Sequence, residues 1–246
     1  MIKWPALKLR EASATIAKLA TQEVQIWLVA IADFADFNPL LTEAEQAQQQ
    51  RFKTLALQQH YALRRGILRE LLSHYLNCPP LEIHLEKTSY GKPLLGSQHP
   101  PLHFNYSFSG EYLLYGFSRD AALGVDIEKI NTSLVSTSLK KALFSSVELA
   151  ALEPYTATAR AVAFFRGWTR KEAFIKAIGE GLHFPLHAVE VCLEENSEAN
   201  LLLNIHNSTY NTEEWSIYEL PINAAYYAAI ALGSGLRHLS CHLLRA

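Results

Sequence analysis

A strand-like run, a long helical tract and a group of short strand-like runs follow one another in this chain, and the same order then returns. Residues 24–32 are mostly apolar and read as a buried strand, with Asn38-Pro39 as the breaker behind it. Thr42 and Glu45 then have the spacing of a capping box, in which hydroxyl and carboxylate satisfy each other's backbone N–H groups. The helix they open is expected to run to about Asn77, with Leu63, Ile67, Leu71 and Leu72 as its apolar stripe. Cys78-Pro79-Pro80 ends it. Strands are expected over 81–87, 102–108 and 112–117, the last two joined through Ser109-Gly110-Glu111. In the second round a strand over 122–128 precedes helical tracts over 134–152 and 159–178, and strands return at 189–193, 201–205, 215–220 and 225–232. No low-complexity linker separates the rounds, so two α+β halves are expected to share an interface, 1–118 and 119–246.

Bulk charge recruits no particular partner. A formal charge of −2 gives no field that would gather nucleic acid or an anionic membrane, and neither is expected as a partner. The longest apolar stretch, 224–233, is about half of what a membrane span requires. Cysteines stand only at 78, 192 and 241, in no disulfide or metal spacing, which fits a reducing, cytoplasmic compartment.

The chemistry concentrates in two segments. In Gly124-Val125-Asp126-Ile127-Glu128, strand alternation puts Asp126 and Glu128 on one face and Val125 and Ile127 on the other. Two carboxylates about 6–7 Å apart on one strand face can share a hard cation; they are equally an amphipathic strand with a solvated acidic face. In residues 163–176, a helical wheel puts Glu172 and Lys176 inside or at the edge of the arc formed by Phe164, Phe165, Trp168 and Ile175. A carboxylate among those aromatic groups is either neutralised by Lys176 one turn on or completes a metal site. Three acidic side chains with few nitrogen or sulfur ligands nearby suit magnesium, which keeps waters and typically binds through substrate phosphates. Lys171 and Lys176 are expected to offset the charge of such a substrate.

Gly124-Val125-Asp126-Ile127-Glu128 followed by Trp168-Thr169-Arg170-Lys171-Glu172-Ala173-Phe174-Ile175-Lys176 closely resembles the surfactin-synthetase type of 4'-phosphopantetheinyl transferase. Gly179-Glu180-Gly181-Leu182 and the upstream Tyr90-Gly91-Lys92-Pro93 match further pieces of that family's pattern. Arg51-Phe52 and Arg64-Arg65-Gly66 fall on the long helix where such enzymes carry basic residues. The resemblance implies an α+β fold of two similar α/β halves related by pseudo-twofold symmetry, with the active site at their interface. It implies coenzyme A as substrate, Mg2+ as cofactor and an apo acyl carrier protein or peptidyl carrier domain as acceptor. The first half is then expected to contact coenzyme A and the carrier, and the second to hold the magnesium site and the catalytic helix.

By the same resemblance Asp126, Glu128 and Glu172 are the metal ligands, and Glu172 also takes the proton of the carrier serine. Lys176 stabilises the leaving 3',5'-ADP. Arg65, Lys92, Lys171, Ser107 and Phe108 fall at phosphate or nucleotide contacts. At Phe108 the chain departs from the family, which carries histidine between the two serines. A phenyl ring cannot donate to a phosphate, so weakened coenzyme A binding is expected. A catalytically silent member that only binds coenzyme A or a carrier, and a different magnesium-dependent phosphotransferase or nuclease, are the competing readings. Both halves in one chain suggest a monomer.

Overall fold

The computed structural model describes residues 2–16, 19–195, 201–206, 209–233 and 238–246. Strand β1 (Ala6–Lys8), helix α1 (Ala12–Ile16) and strand β2 (Glu23–Ala30) open the chain. Helices α2 (Glu43–Gln50) and α3 (Leu55–Leu76) follow, then a short pair, β3 (Leu85–Lys87) and β4 (Pro93–Leu95), and the hairpin β5 (His103–Ser109) and β6 (Tyr112–Ser118). The second round runs through β7 (Leu123–Lys129), α4 (Thr137–Leu143), α5 (Ser146–Leu152) and α6 (Ala157–Ile178). Strands β8 (Val189–Val191), β9 (Leu202–Ile205), β10 (Trp215–Glu219), β11 (Tyr226–Gly233) and β12 (His238–Arg245) complete it.

The five-stranded sheet has the order β1-β12-β2-β6-β5, and the three-stranded sheet the order β10-β11-β7. Side-chain alternation turns these into four layers. Trp27, Val29, Tyr115 and Phe117 face Ile67, Leu68, Leu71 and Leu72 of α3. On the opposite faces, Ile26, Leu28 and Leu114 meet Val125, Ile127, Ile230 and Leu232 in a core between the sheets. Ala229 and Ala231 then pack against Phe164, Phe165, Ala173 and Phe174 of α6. The molecule is therefore helix, sheet, sheet, helix, the mixed α+β architecture expected.

The two rounds are alike in detail. Thr42 and Glu45 form the expected capping box. Ser145 and Glu148 form a second one, inside the tract 134–152 expected to be helical throughout. Each capping glutamate is buried and ion-paired at 2.6 Å with a base on the 22-residue helix that follows: Glu45 with Arg69 of α3, Glu148 with Lys171 of α6. Arg69 and Lys171 each stand fourteen residues beyond the first residue of their helix. Both helices end on a left-handed residue, Asn77 (φ 51°) and Gly179 (φ 79°).

Three expectations change. The helix expected from Thr42 to Asn77 is two helices, because Thr54 Oγ1 accepts from Leu57 N and starts a new one. Arg51-Phe52 thereby lies in the break and not on the long helix. The tract 134–152 is likewise divided, at the Ser145 cap. The unforeseen β12 leaves the second round and pairs parallel with both β1 and β2, inside the first round's sheet.

Candidate active site

At one side the two sheets converge, and β5, the edge of one, runs beside β7, the edge of the other. Side chains bridge them at every second residue of β5. Asn105 Oδ1 accepts from Val125 N (2.9 Å), Ser107 Oγ donates to Asp126 Oδ1 (2.8 Å) and Ser109 Oγ donates to Glu128 Oε2 (3.0 Å) while accepting from Lys129 N. The period of two that sends Asp126 and Glu128 to one face of β7 thus meets the same period on β5. The sequence alone does not show this polar comb: it gives Asn105 no role of its own and offers Ser107 as a contact of substrate, whereas Ser107 is bonded to Asp126.

Gly124 explains how α6 reaches the carboxylates. A Cβ at that position would stand 2.2 Å from Ala173 O and 2.3 Å from Ala177 N, so only glycine lets the helix backbone rest on β7. Lys176 Nζ then donates to Asp126 Oδ1 at 2.5 Å and to Ser107 Oγ at 2.9 Å. The i,i+4 neutralisation of Glu172 by Lys176 is not formed: the ion pair of this lysine is with Asp126.

Asp126 is 2% exposed, and its Oδ2 is buried with no hydrogen-bond partner. Burial, and then the charge of Asp126, push the Glu128 carboxyl up to about 7. The same two causes raise that of Glu172, with Lys176 drawing it partly back. Three carboxyl groups therefore share one ammonium, and an orphaned oxygen marks where more positive charge is wanted. Among the described residues, no three acidic, imidazole or thiol groups form a metal cage by themselves. A donor set of a few carboxylates fits magnesium, which keeps waters and takes phosphate oxygens as its other ligands.

Two cavities flank the cluster. One, of about 260 Å³, is lined by Tyr90, Lys92, Asn105, Tyr106, Ile175 and Lys176 among others. The other, of about 300 Å³, is lined by Glu128, Ser109, Asn131, Leu134, Phe165 and Trp168 among others. Lys92 faces the first, but its ammonium donates to Leu123 O and Ala177 O and so clasps β7 to the end of α6. Burial lowers its pKa to about 8.

Two expected phosphate contacts are drawn elsewhere. Lys171 is 0% exposed and donates to Glu148, Leu186 O and Val189 O, deep on the far side of α6. It follows Arg170 and precedes Glu172 in sequence, and the helical turn of about 100° per residue points it away from the carboxylates. Arg65 donates to Glu45 Oε1 and belongs to the pin between α2 and α3. Phe108 is 46% exposed on the α3 side of β5, where the Arg64 guanidinium lies 4.4 Å from its ring centre.

Residues 122–231 match the 4'-phosphopantetheinyl transferase superfamily, and residues 25–116 match the 4'-phosphopantetheinyl transferase N-terminal family. The chain is 29% identical to the 4'-phosphopantetheinyl transferase HetI of Nostoc sp., over 87% of this chain and 89% of that one. It is 30% identical to a putative 4'-phosphopantetheinyl transferase of Synechocystis sp., over 84% and 86%. With the 4'-phosphopantetheinyl transferase psf-1 of Bacillus pumilus it shares 30% identity over 73% of this chain and 76% of the relative.

Proposed function

The chain belongs to the 4'-phosphopantetheinyl transferase superfamily, and from that premise we propose how its residues divide the work. The enzyme moves 4'-phosphopantetheine from coenzyme A to a serine of a carrier protein. The observation that carries the site assignment is the buried, unpartnered Oδ2 of Asp126 beside Glu128, Glu172 and Lys176. These three carboxylates would hold Mg2+, whose role when bound is to neutralise the pyrophosphate of coenzyme A.

In the transfer, the carrier serine oxygen forms a bond to the phosphorus that bears pantetheine. The bond from that phosphorus to the bridging oxygen breaks, and 3',5'-ADP leaves. Glu172, its carboxyl already raised by burial and by Asp126, takes the serine proton. Lys176 lines the first cavity and is close enough to the carboxylates to turn toward the leaving oxygen. The first cavity, with Lys176 and Lys92 in its wall, suits the nucleotide; the second, with Phe165 and Trp168 beside Glu128, suits the pantetheine arm and the approaching serine. Ser107 and Ser109 orient the two strand carboxylates, so removing substrate leaves them in place. The division of the chain at 118/119 assigns most nucleotide contacts to the first half and the catalytic helix to the second. Both 22-residue helices and both sheets belong to a single polypeptide, and a monomer is the state proposed for it; three free cysteines are in keeping with a cytoplasmic enzyme. No described helix is long and apolar enough to cross a membrane.

The test is incubation with an apo carrier protein, coenzyme A and magnesium, read by intact mass. A gain of one phosphopantetheine per carrier, lost on chelation, is expected. A carrier left unmodified under conditions where a known transferase converts it sinks the reading and favours a protein that only binds coenzyme A.

A further inference from the structure

The turn between β5 and β6 is held from the other half of the chain. Tyr226, at the start of β11, is buried in the core between the sheets, and its hydroxyl reaches the turn. That oxygen accepts from the backbone N–H of Glu111 at 3.0 Å. It also fills the space beside Gly110, where a Cβ would stand 2.3 Å from it. Gly110 has φ 54°, so glycine suits this position twice, by its left-handed backbone and by its missing side chain. Lys129, the β7 partner of Tyr226, adds a second grip: its ammonium pairs with Glu111 at 3.2 Å and lies 5.7 Å from the centre of the Tyr226 ring. Both members of that pair are open to water, and such pairs contribute little. The hydroxyl is the stronger hold, on a ring that Tyr112 meets edge-on at 4.9 Å.

The turn carries a contact of the carboxylate cluster. Ser109, the residue before Gly110, donates to Glu128 Oε2 and accepts from Lys129 N, each at 3.0 Å. Ser109 and Glu128 both line the cavity of about 300 Å³. Ser107, the other serine of the comb, lies well inside the pairing of β5 with β6, opposite Leu114. Ser109 is opposite Tyr112 on the last rung before the turn, where a ladder opens most easily. Its position therefore depends on the turn in a way that of Ser107 does not. The Glu111 peptide that closes the turn is fixed at both ends, its N–H by Tyr226 and its carbonyl by Ile31 N at 2.9 Å.

We propose that Tyr226 is a positioning residue for the metal site: its hydroxyl fixes the Gly110 turn, the turn fixes Ser109, and Ser109 holds Glu128 in the wall of the cavity. This rests on the reading of Asp126, Glu128 and Glu172 as magnesium ligands. The geometry of the site is then a joint product of the two halves, because a hydroxyl of the second acts on a carboxylate of the second through a turn of the first.

Manganese binding to the full chain, followed by the paramagnetic signal of the free ion, tests this without transfer. Tyr226→Phe removes only the hydroxyl and is expected to weaken manganese binding about two- to tenfold, the range of one lost hydrogen bond. Ser109→Ala should weaken it by a similar factor, and adding Tyr226→Phe to it should change little, because both act through one contact. Should Tyr226→Phe fail to fold, Gly110→Ala, whose methyl group displaces the hydroxyl, takes its place and should show the same loss and the same lack of additivity. In transfer assays Tyr226→Phe should raise the magnesium concentration giving half the maximal rate by the same factor, with the rate at saturating magnesium little changed. A hydroxyl of purely structural value would lower Tm and leave manganese affinity alone. That result, or losses that multiply in the double variant, overturns the proposal while the metal site stands. Manganese binding indifferent to Asp126→Asn overturns the metal-site reading and the role of Tyr226 with it.

Discussion

Lys176 Nζ lies 2.5 Å from Asp126 Oδ1, while the other oxygen of that buried carboxylate has no partner. One ammonium is thus set among three carboxyl groups, two of them pushed toward protonation by burial and by Asp126. The cluster is organised for a substrate and cation that complete its charge balance.

Glu172→Gln keeps the shape of the side chain and removes the proton acceptor. Its kcat should fall by between about 10² and 10⁴, with coenzyme A binding reduced much less. Asp126→Asn should instead weaken the binding of manganese, a spectroscopic substitute for magnesium, by tenfold or more on the order expected for lost charge-assisted ligands. A Glu172→Gln enzyme with a tenth or more of the wild-type rate would remove this residue from the proton's path.

Lys171→Met leaves Glu148 buried without its cation. Breaking a buried pair this way costs about 3–5 kcal/mol, to be read by chemical denaturation. Glu148→Gln combined with Lys171→Met should recover much of the loss. The fraction that stays folded in either variant should keep the wild-type KM for coenzyme A. A raised KM with unchanged stability would return Lys171 to the phosphate site.

Gly124→Ala forces a methyl group onto the α6 backbone at Ala173 and Ala177. A cost of about 3 kcal/mol is expected, since the obstacle is main chain and cannot rotate aside. Because α6 carries Glu172 and Lys176, the folded fraction should also lose transfer activity; retained activity per folded molecule would show that the helix can lift without disturbing the carboxylates.

His242 of β12 stacks against Trp27 at 4.8 Å, and both of its ring nitrogens are buried without partners. Burial lowers its pKa below the usual 6.5, against a smaller upward pull from Glu23. The unfolded chain then takes up the proton first as pH falls. The associated stability is full above about 6.5 and is lost on acidification. His242→Phe should therefore lose less Tm than wild type between pH 7.5 and 5.5, and parallel curves would rule the histidine out.

The carboxylates were legible in the sequence because a strand and a helix have fixed periods. Asp126 and Glu128 had to share a face, and Glu172 had to fall near the aromatic arc. The direction of Lys171 was not legible: it depends on a buried glutamate, Glu148, contributed by a helix whose capping box lay unrecognised in a longer helical tract. The pairing of Arg65 with Glu45 was not legible for the same reason, since the spacing Thr42/Glu45 announces a cap and says nothing of a counter-ion. β12 escaped notice because histidine, serine and arginine interleave its leucines, and nothing local announces a strand whose partners are more than two hundred residues away.

The placement of β12 between β1 and β2 has a consequence for how the molecule is made. On the ribosome, β2, α3, β5 and β6 emerge early and can associate, but β1 has no neighbour until β12 arrives. The first-made layer therefore waits with an open strand edge for the whole second round to be synthesised, and closing it demands contacts of high sequence separation. Assembly of the catalytic cleft and closure of that sheet become a single late event, so a nascent chain stopped short of β12 exposes an unpaired strand edge as well as an unfinished core.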